Sequence, residues 1–337
     1  MIVHVDYVWV DGFEHPSLRS KTKMVTLTLE ENGEFELPIK EWNFDGSSTN
    51  QGITDDSERI IQPQRLYKIA DNHYVVMCEV CLPDESRTPH PSNHRAPIRE
   101  LLASGLTRKE VWIGFEQEYF LTKDNTNIFW PNDGGEPIKD ARYYCASGGS
   151  IKNRKLVREH AMFCNSVGIS VVGYNAEVSP GQWEYQVFAE DPLQAADDLW
   201  ISRYLLELML EEIELGVDWH PKPHSGWNGS GCHTNFSTKQ MREAEDKECF
   251  DEILRKMGNL HHESIKEYGT DNDMRLTGGF ETASHEEFSY GIASRGTSVR
   301  IPNATVNNKW NGYLEDRRPS SGCDPYRVIG QILRFVK

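Results

Sequence analysis

The run Val111-Trp112-Ile113-Gly114-Phe115-Glu116-Gln117-Glu118-Tyr119-Phe120-Leu121 limits the fold more than any other stretch of the chain. β-Branched and aromatic residues dominate it, and these fit a pleated, half-buried surface, so it predicts a strand. Side chains two apart on a strand point the same way, which sets Glu116 and Glu118 side by side on one face. Two adjacent carboxylates in an apolar setting repel each other and persist only where protons or cations neutralise them. A divalent metal ion is one such neutraliser. A solvated polar face, on which both glutamates meet water, explains this stretch equally well.

The balance shifts because the pattern recurs. In GYNAEVSPGQWEYQV (173–187) a Ser-Pro-Gly turn separates two strand-like runs, which predicts a tight hairpin with Glu177 on one arm and Glu184 on the other. His233 follows in GCHTNFS (231–237) and Glu315 in GYLEDRRP (312–319). Five glutamates and a histidine form a hard, oxygen-rich donor set that suits Mg²⁺ or Mn²⁺ better than zinc or a softer metal. Taken alone, these glutamates also fit a carboxylate-bridged two-metal hydrolase. Five arginines (Arg275, Arg295, Arg300, Arg317 and Arg318) sit late in the chain in segments rich in Gly, Ser, Thr and Pro. Their planar forks suit carboxylate and phosphate, and the segments read as loops or short strands facing a cavity.

The motifs GFEQEY, NAEVSPGQWEYQ, NGSGCHTNFS, RLTGGFETAS, SRGTSVRIP and GYLEDRRPSS, in this order and at these spacings, resemble glutamine synthetases of the shorter, class II type. WNFDGSST is similar to that family's N-terminal signature, so the resemblance runs from about Tyr7 to the C-terminus. It implies an α+β fold: a small N-terminal β-grasp domain over residues 1–90, then a catalytic domain over 91–337 with a curved, mainly antiparallel sheet flanked by helices. The implied activity is ATP-dependent ligation of ammonia to L-glutamate through γ-glutamyl phosphate, giving glutamine, ADP and phosphate. Carried over residue by residue, one Mg²⁺ or Mn²⁺ site would use Glu118, Glu177 and Glu184. A second would use Glu116, His233 and Glu315 and hold the ATP phosphates. Arg275, Arg295 and Arg317 match the glutamate and phosphate clamps, and Arg300 an ATP-phosphate contact. Trp112, Asn235, Ser237, Arg242 and Tyr313 match positions near the nucleotide. Asp45 matches the carboxylate that holds ammonium and takes its proton, and Glu281 the flap glutamate that closes over the acyl phosphate. The family places Asp45 in the neighbouring subunit's active site, which implies a homo-oligomer, a decamer of two five-membered rings.

Two features depart from the family: Phe280 stands where a histidine is common, and ARYYCASGG (141–149) is poorer in glycine than expected. The chain is shorter than the class controlled by adenylylation, so that regulation is not expected. A ligase for a bulkier amine and a non-catalytic ring-forming relative are the alternatives. Asp45 argues against the first by crowding the amine, and the complete set of ligands and clamps argues against the second.

The remaining sequence sets limits. With 337 residues, 38% of them hydrophobic, the chain can bury a sizeable core. A net charge of −16 argues against nucleic acid or anionic membrane as a partner. No apolar run approaches membrane-spanning length, and Met1-Ile2-Val3-His4-Val5-Asp6 lacks a basic region followed by an apolar one, so no signal peptide and a soluble cytoplasmic protein are expected. Seven cysteines, an odd number, do not read as a disulfide framework, and Cys78 and Cys81 read as buried thiols. His220 and His224, separated by two prolines, read as loop. Gly148-Gly149 lacks a Walker or GxGxxG context and reads as loop rather than a phosphate cradle.

In the N-terminal part, Val3, Val5, Tyr7 and Trp9 alternate as on a strand. Residues 24–29 are expected to meet 35–37 across Glu31-Asn32-Gly33, 74–82 form another strand, and WNFDGSSTN on its residues alone is a surface loop with Asp45 fixing a turn. A boundary is expected near 89–97. Helices are expected from about 152 to 167 with Ser150 near the cap, and from Asp191-Pro192 to before Gly216 with Ala195, Leu199, Leu206, Met209 and Ile213 on one apolar face. One or two more are expected within 245–268.

Overall fold

The computed structural model describes residues 1–29, 35–105, 110–130, 137, 142–148 and 151–337. Two compact units emerge, Met1–Leu101 with Ser166–Gly168, and Leu102–Asn165 with Ile169–Lys337. No helix among the described residues is long and apolar enough to cross a membrane.

The first unit contains β1 (Ile2–Val10), β2 (Leu18–Thr26), β3 (Thr28–Leu29), β4 (Phe35–Glu36), β5 (Trp42–Asp45), β6 (Glu58–Ala70) and β7 (His73–Cys81), followed by α1 (Arg95–Ala103). Its five-stranded sheet has the order β2-β1-β7-β6-β5, with β1 parallel to β7 and the other pairs antiparallel. Val3, Val5, Tyr7 and Trp9 pack with Phe44, Ile61, Val76, Cys78 and Val80 in one core. Strict alternation fails in the middle of β1 because its other face is covered as well. There Asp6 is buried and accepts from Thr22 Oγ (2.6 Å) while facing His73 Nε2 at 2.7 Å.

Three expectations change in this unit. The run 24–29 is broken at Leu27: its start belongs to the long strand β2, and only β3 pairs with β4, across a turn that lies outside the described residues. Trp42–Asp45 is strand β5, paired with β6, rather than loop, and Asp45 caps the 3-10 turn Gly46–Thr49. Cys78 and Cys81, three apart on β7, point to opposite faces, and both are free and buried. Burial pushes the Cys81 thiol up to about 11.

The second unit is built around β8 (Val111–Lys123). Along the chain follow β9 (Thr126–Asn127), α2 (Arg154–Ser166), β10 (Val171–Ala176), β11 (Gln182–Ala189), α3 (Pro192–Glu211), β12 (Gly216–Asp218), β13 (Cys232–Thr238), α4 (Lys239–Glu243), α5 (Lys247–Asn259), α6 (His261–Glu267), α7 (Asn272–Arg275), β14 (Tyr290–Ile292), β15 (Val299–Ile301), α8 (Asn303–Asn307), β16 (Leu314–Asp316) and α9 (Pro325–Val336). The main sheet has the order β10-β11-β8-β13-β16-β15-β14, with β9 and β12 also on β8, and all pairs are antiparallel except β14 with β15. Helix α3 packs across β8 and β11, and α9 packs on α3, α5 and α6. This is the α+β architecture with a mainly antiparallel second sheet that the sequence implied.

Helix α2 starts at Arg154, because Asn153 has a φ of 63° that no helix accepts, and it stops before Gly168 at φ 89°. Ser150 lies outside the described residues. Helix α3 begins as expected, with Asp191 accepting from Gln194 N at 2.9 Å and Pro192 in the first turn. It is not amphipathic, however. Buried residues surround it, including Asp197, Asp198, Ser202 and Arg203, and Ile213 lies past its end and is exposed.

Candidate active site

Strand register builds the site. β8 is flanked by β11 and β13, with Glu118 opposite Glu184 and Glu116 opposite His233. The next strand, β16, brings Glu315 opposite Asn235, and β15 brings Arg300 opposite Glu315. Glu177 arrives from the hairpin turn, one residue past β10, where Gln182 N closes the turn on Ser179 O at 3.1 Å. Two groups result, Glu116 with His233 and Glu315, and Glu118 with Glu177 and Glu184. Within each, ligand atoms from the three residues lie within 4.8 Å of one another. Gln117, between the two glutamates, points to the opposite face, where Arg203 of α3 donates to its Oε1 at 2.9 and 2.6 Å.

The first cavity, about 220 Å³, is lined by both groups together with Arg275, Arg295, Arg300, Arg317 and Glu281. All of its lining residues belong to the second unit. Burial, with Glu177 nearby, raises the Glu118 carboxyl to about 8. Burial and the surrounding carboxylates likewise hold Glu184 well above its usual range, and burial raises Glu177. Burial and Arg317 push His233 well below the usual imidazole range, which leaves it neutral with Nδ1 3.4 Å from Glu116 and 4.0 Å from Glu315. Three crowded carboxylates in one group, and a neutral imidazole beside two in the other, form a donor set that calls for hard dications. Gly231 N donates to Glu118 Oε2 at 2.7 Å, and a Cβ at this glycine would lie 2.8 Å from His233 Nε2, so a larger residue would push the His233 ring from its place.

The arginines divide by parity. Arg300 reaches Glu315 at 3.0 Å and Arg317 hydrogen-bonds Glu315 from the same face. Arg318 points the other way and is fully buried against Asp316 at 2.8 Å, which corrects the expectation that it faces the cavity. Arg275 is buried and donates to the carbonyls of Arg317, Arg318 and Pro319, and burial lowers it to about 10. Arg295 lies 3.8 Å from Glu281 and donates to Tyr144 Oη at 3.5 Å.

A second cavity of about 490 Å³ shares Glu116 and Gln186 with the first. Trp112, Phe115, Val172, Val187, Phe188 and Phe236 make it mostly apolar, and Asn235, Ser237, Arg242 and Tyr313 line it too. The Arg242 guanidinium lies 3.9 Å over the Trp112 ring and donates to Ser237 Oγ at 3.0 Å. Asn235 donates to Glu116 Oε1 at 2.9 Å, while its own buried Oδ1 meets no hydrogen-bond donor among the described residues. A mostly apolar cavity that includes polar side chains and adjoins an acidic chamber has the chemistry to take a heterocyclic base on one side and charged groups on the other.

Asp45 lies in the first unit, exposed at the end of β5, where its Oδ1 accepts from Ser47 Oγ (2.7 Å) and Ser47 N (2.9 Å). Those bonds hold its carboxyl below the usual range. Sequence reasoning missed Tyr144, Asn175, Gln186, Asn228 and Thr282 among the lining residues. Gln186 is readable by the same two-residue rule as Glu116 and Glu118, since it shares a face with Glu184 and donates to it at 2.5 Å. The others carry no such signal on their own.

Residues 92–257 match the family model described as glutamine synthetase, catalytic domain. A glutamine synthetase from Bradyrhizobium diazoefficiens is 42% identical over 98% of this chain and 95% of its own length. Those from Yarrowia lipolytica and Saccharomyces cerevisiae are also 42% identical, over 99% and 98% of this chain and 90% and 88% of their own lengths. Identity at this level over nearly the whole chain leaves one conclusion: the chain is an enzyme of the glutamine synthetase family.

Proposed function

We propose that the protein joins ammonia to the γ-carboxylate of L-glutamate at the expense of ATP, releasing glutamine, ADP and phosphate. The observation that carries this reading is the shared wall between the two cavities: Glu116 and Gln186 border both an arginine-rimmed acidic chamber and an aromatic slot. The slot, with Trp112, Asn235, Ser237, Arg242 and Tyr313, takes the adenosine. Arg300 meets the phosphates, and Arg275, Arg295 and Arg317 hold glutamate and the transferred phosphoryl group.

The raised Glu118, Glu177 and Glu184 carboxyls support the reading of this group as a cation site. Mg²⁺ or Mn²⁺ would be held by Glu118, Glu177 and Glu184 and, separately, by Glu116, His233 and Glu315. When bound, such ions neutralise phosphate charge during transfer. The arginines orient the glutamate γ-carboxylate for in-line attack on the γ-phosphorus, which gives γ-glutamyl phosphate and ADP. Ammonia then attacks the acyl carbon and phosphate leaves. Asp45, kept ionised by its bonds to Ser47, holds the ammonium cation and accepts its proton. Glu281 closes over the acyl phosphate and excludes water.

Asp45 belongs to the first unit and acts in a neighbouring subunit's site, in a decamer of two five-membered rings. All seven cysteines are free, which fits a reducing, cytoplasmic setting. The reading is tested by following phosphate release from ATP and glutamate with Mg²⁺, with and without ammonium, while glutamine is quantified. Ammonium-dependent release matched by glutamine is expected. Faster release with a polyamine than with ammonium would replace the substrate, and no release would remove the activity.

A further inference from the structure

The loop from Leu276 to His285 closes on itself. His285 N donates to Leu276 O at 2.9 Å, Thr277 bridges Ser284, and Thr282 Oγ1 donates to Arg275 O and Gly279 O at 3.0 and 2.7 Å. At its tip Phe280 and Glu281 have φ of 52° and 61°. Two successive left-handed non-glycine residues persist only where something beyond their own backbone holds them. Thr282, the Arg295 pair with Glu281 (3.8 Å) and the bond from Arg317 to Glu281 O (3.5 Å) tether the turn on the Glu281 side, whereas burial adds little on the Phe280 side, since Phe280 is 46% exposed. Its ring instead meets Lys222, whose Nζ lies 4.0 Å from the ring centroid. Lys222 is buried and Nζ donates to Trp227 O, and among the described residues no carboxylate pairs with it. The face of the Phe280 ring, negative by its quadrupole, is therefore the surface that this desolvated cation meets.

We propose that Lys222 and Phe280 form a latch that holds the loop bearing Glu281 over the acidic cavity, which makes Phe280 a positioning residue for ammonia ligation. The role in ligation rests on the function proposed above. With the latch open, water reaches the acyl phosphate, its oxygen attacks the acyl carbon, phosphate leaves and glutamate is regenerated, so ATP is consumed without glutamine. A hydrogen-bonding imidazole before Glu281 would hold the loop through directional contacts. Phe280 holds it through a cation on a ring face instead.

The test compares Phe280→Leu, Lys222→Gln, the double variant and Phe280→Tyr. Lys222→Gln keeps a donor for Trp227 O and removes the charge. The first readout is amide hydrogen exchange over residues 277–284 in the protein without ligands, and the second is the ratio of phosphate to glutamine together with the KM and kcat for ammonium. Phe280→Leu and Lys222→Gln should each speed exchange by roughly two- to thirtyfold, the range a cation–π contact supplies, and the double variant by no more than either alone. Phe280→Tyr, which keeps the ring, should leave exchange unchanged. The phosphate-to-glutamine ratio should rise and the ammonium KM should rise more than kcat falls. Unchanged exchange in Phe280→Leu, or additive effects in the double variant, would overturn the latch. Should the unmodified protein make no glutamine, the ligase reading falls while the exchange data still decide the latch. If Lys222→Gln fails to fold, Phe280→Leu, at a half-exposed site, decides alone.

Discussion

Glu118 is costly to the fold, and the function proposed above gives it a place in the chemistry. Its carboxyl is raised to about 8 from an ordinary value of 4.5, mainly by burial. Between those pH values the folded state binds more protons than the unfolded chain, so the metal-free protein should lose stability as pH rises from about 4.5 through about 8. Mg²⁺ or Mn²⁺ should restore it and release protons on binding, which titration calorimetry in buffers of different ionisation enthalpy would detect. Glu118→Gln removes the charge. It should raise the melting temperature of the metal-free protein at pH 8.5, leave it unchanged near pH 4, and lower turnover by roughly 10²-fold or more. A variant that melts lower than the parent at pH 8.5 without metal would contradict this account. The sequence singles out the six clustered residues as candidate cation ligands, because carboxylates at two-residue spacing on an apolar strand repel each other and further acidic residues recur along the chain. Their division into two groups comes from the family resemblance, and the structure brings the residues of each group within 4.8 Å. The partition of Arg317 from Arg318 follows from the same parity, but only once the strand Leu314–Asp316 and its facing are known.

At the scale of elements, strand register sets the site. A slip of one residue in β8 would turn Glu116 and Glu118 away from the cavity and Gln117 toward it, at the cost of the bonds that Arg203 on the helix beneath makes to Gln117. Arg203 of α3 donates to Gln117 Oε1, to Ser321 O (3.1 Å) and to Cys323 O (2.9 Å), tying the back of β8 to the segment after β16. Arg203→Ala would leave the Gln117 acceptor and two carbonyls buried without these donors. Urea unfolding should show a loss of roughly 3–5 kcal/mol, with metal affinity falling alongside. The role of α3 is where the sequence misleads. Its cap and proline announce the start, but its apolar positions suggest a single stripe although the helix is covered on almost all sides. Its polar positions Asp197, Asp198, Ser202 and Arg203 are buried, and their environment is set by residues distant in sequence that no local period reports. The strand that carries Trp42–Asp45 is hidden for a related reason, since turn-forming residues surround and enter a strand that β6 stabilises.

At the scale of the whole molecule, the residue proposed to handle ammonium belongs to one unit and the cavity proposed to activate glutamate to the other. Asp45→Ala should leave ATP binding intact, because the capping turn it would disturb lies in the first unit while the residues lining both cavities lie in the second. Glutamine formation should fall sharply, as measured by coupled assay. If sites are shared between subunits, co-assembly of Asp45→Ala chains with Glu118→Gln chains should restore activity to about a quarter of the sites at equal mixing, because a site is whole only where an intact face meets an intact neighbour. Two separately assembled variants mixed without exchange should stay inactive. The measurement that tests the central claim most directly follows oxygen. Glutamate labelled with ¹⁸O in its γ-carboxylate is incubated with ATP, Mg²⁺ and ammonium, and the phosphate is analysed by mass spectrometry. Formation of an acyl phosphate predicts one labelled oxygen in the phosphate for each glutamine made. Phosphate released without label would contradict the account.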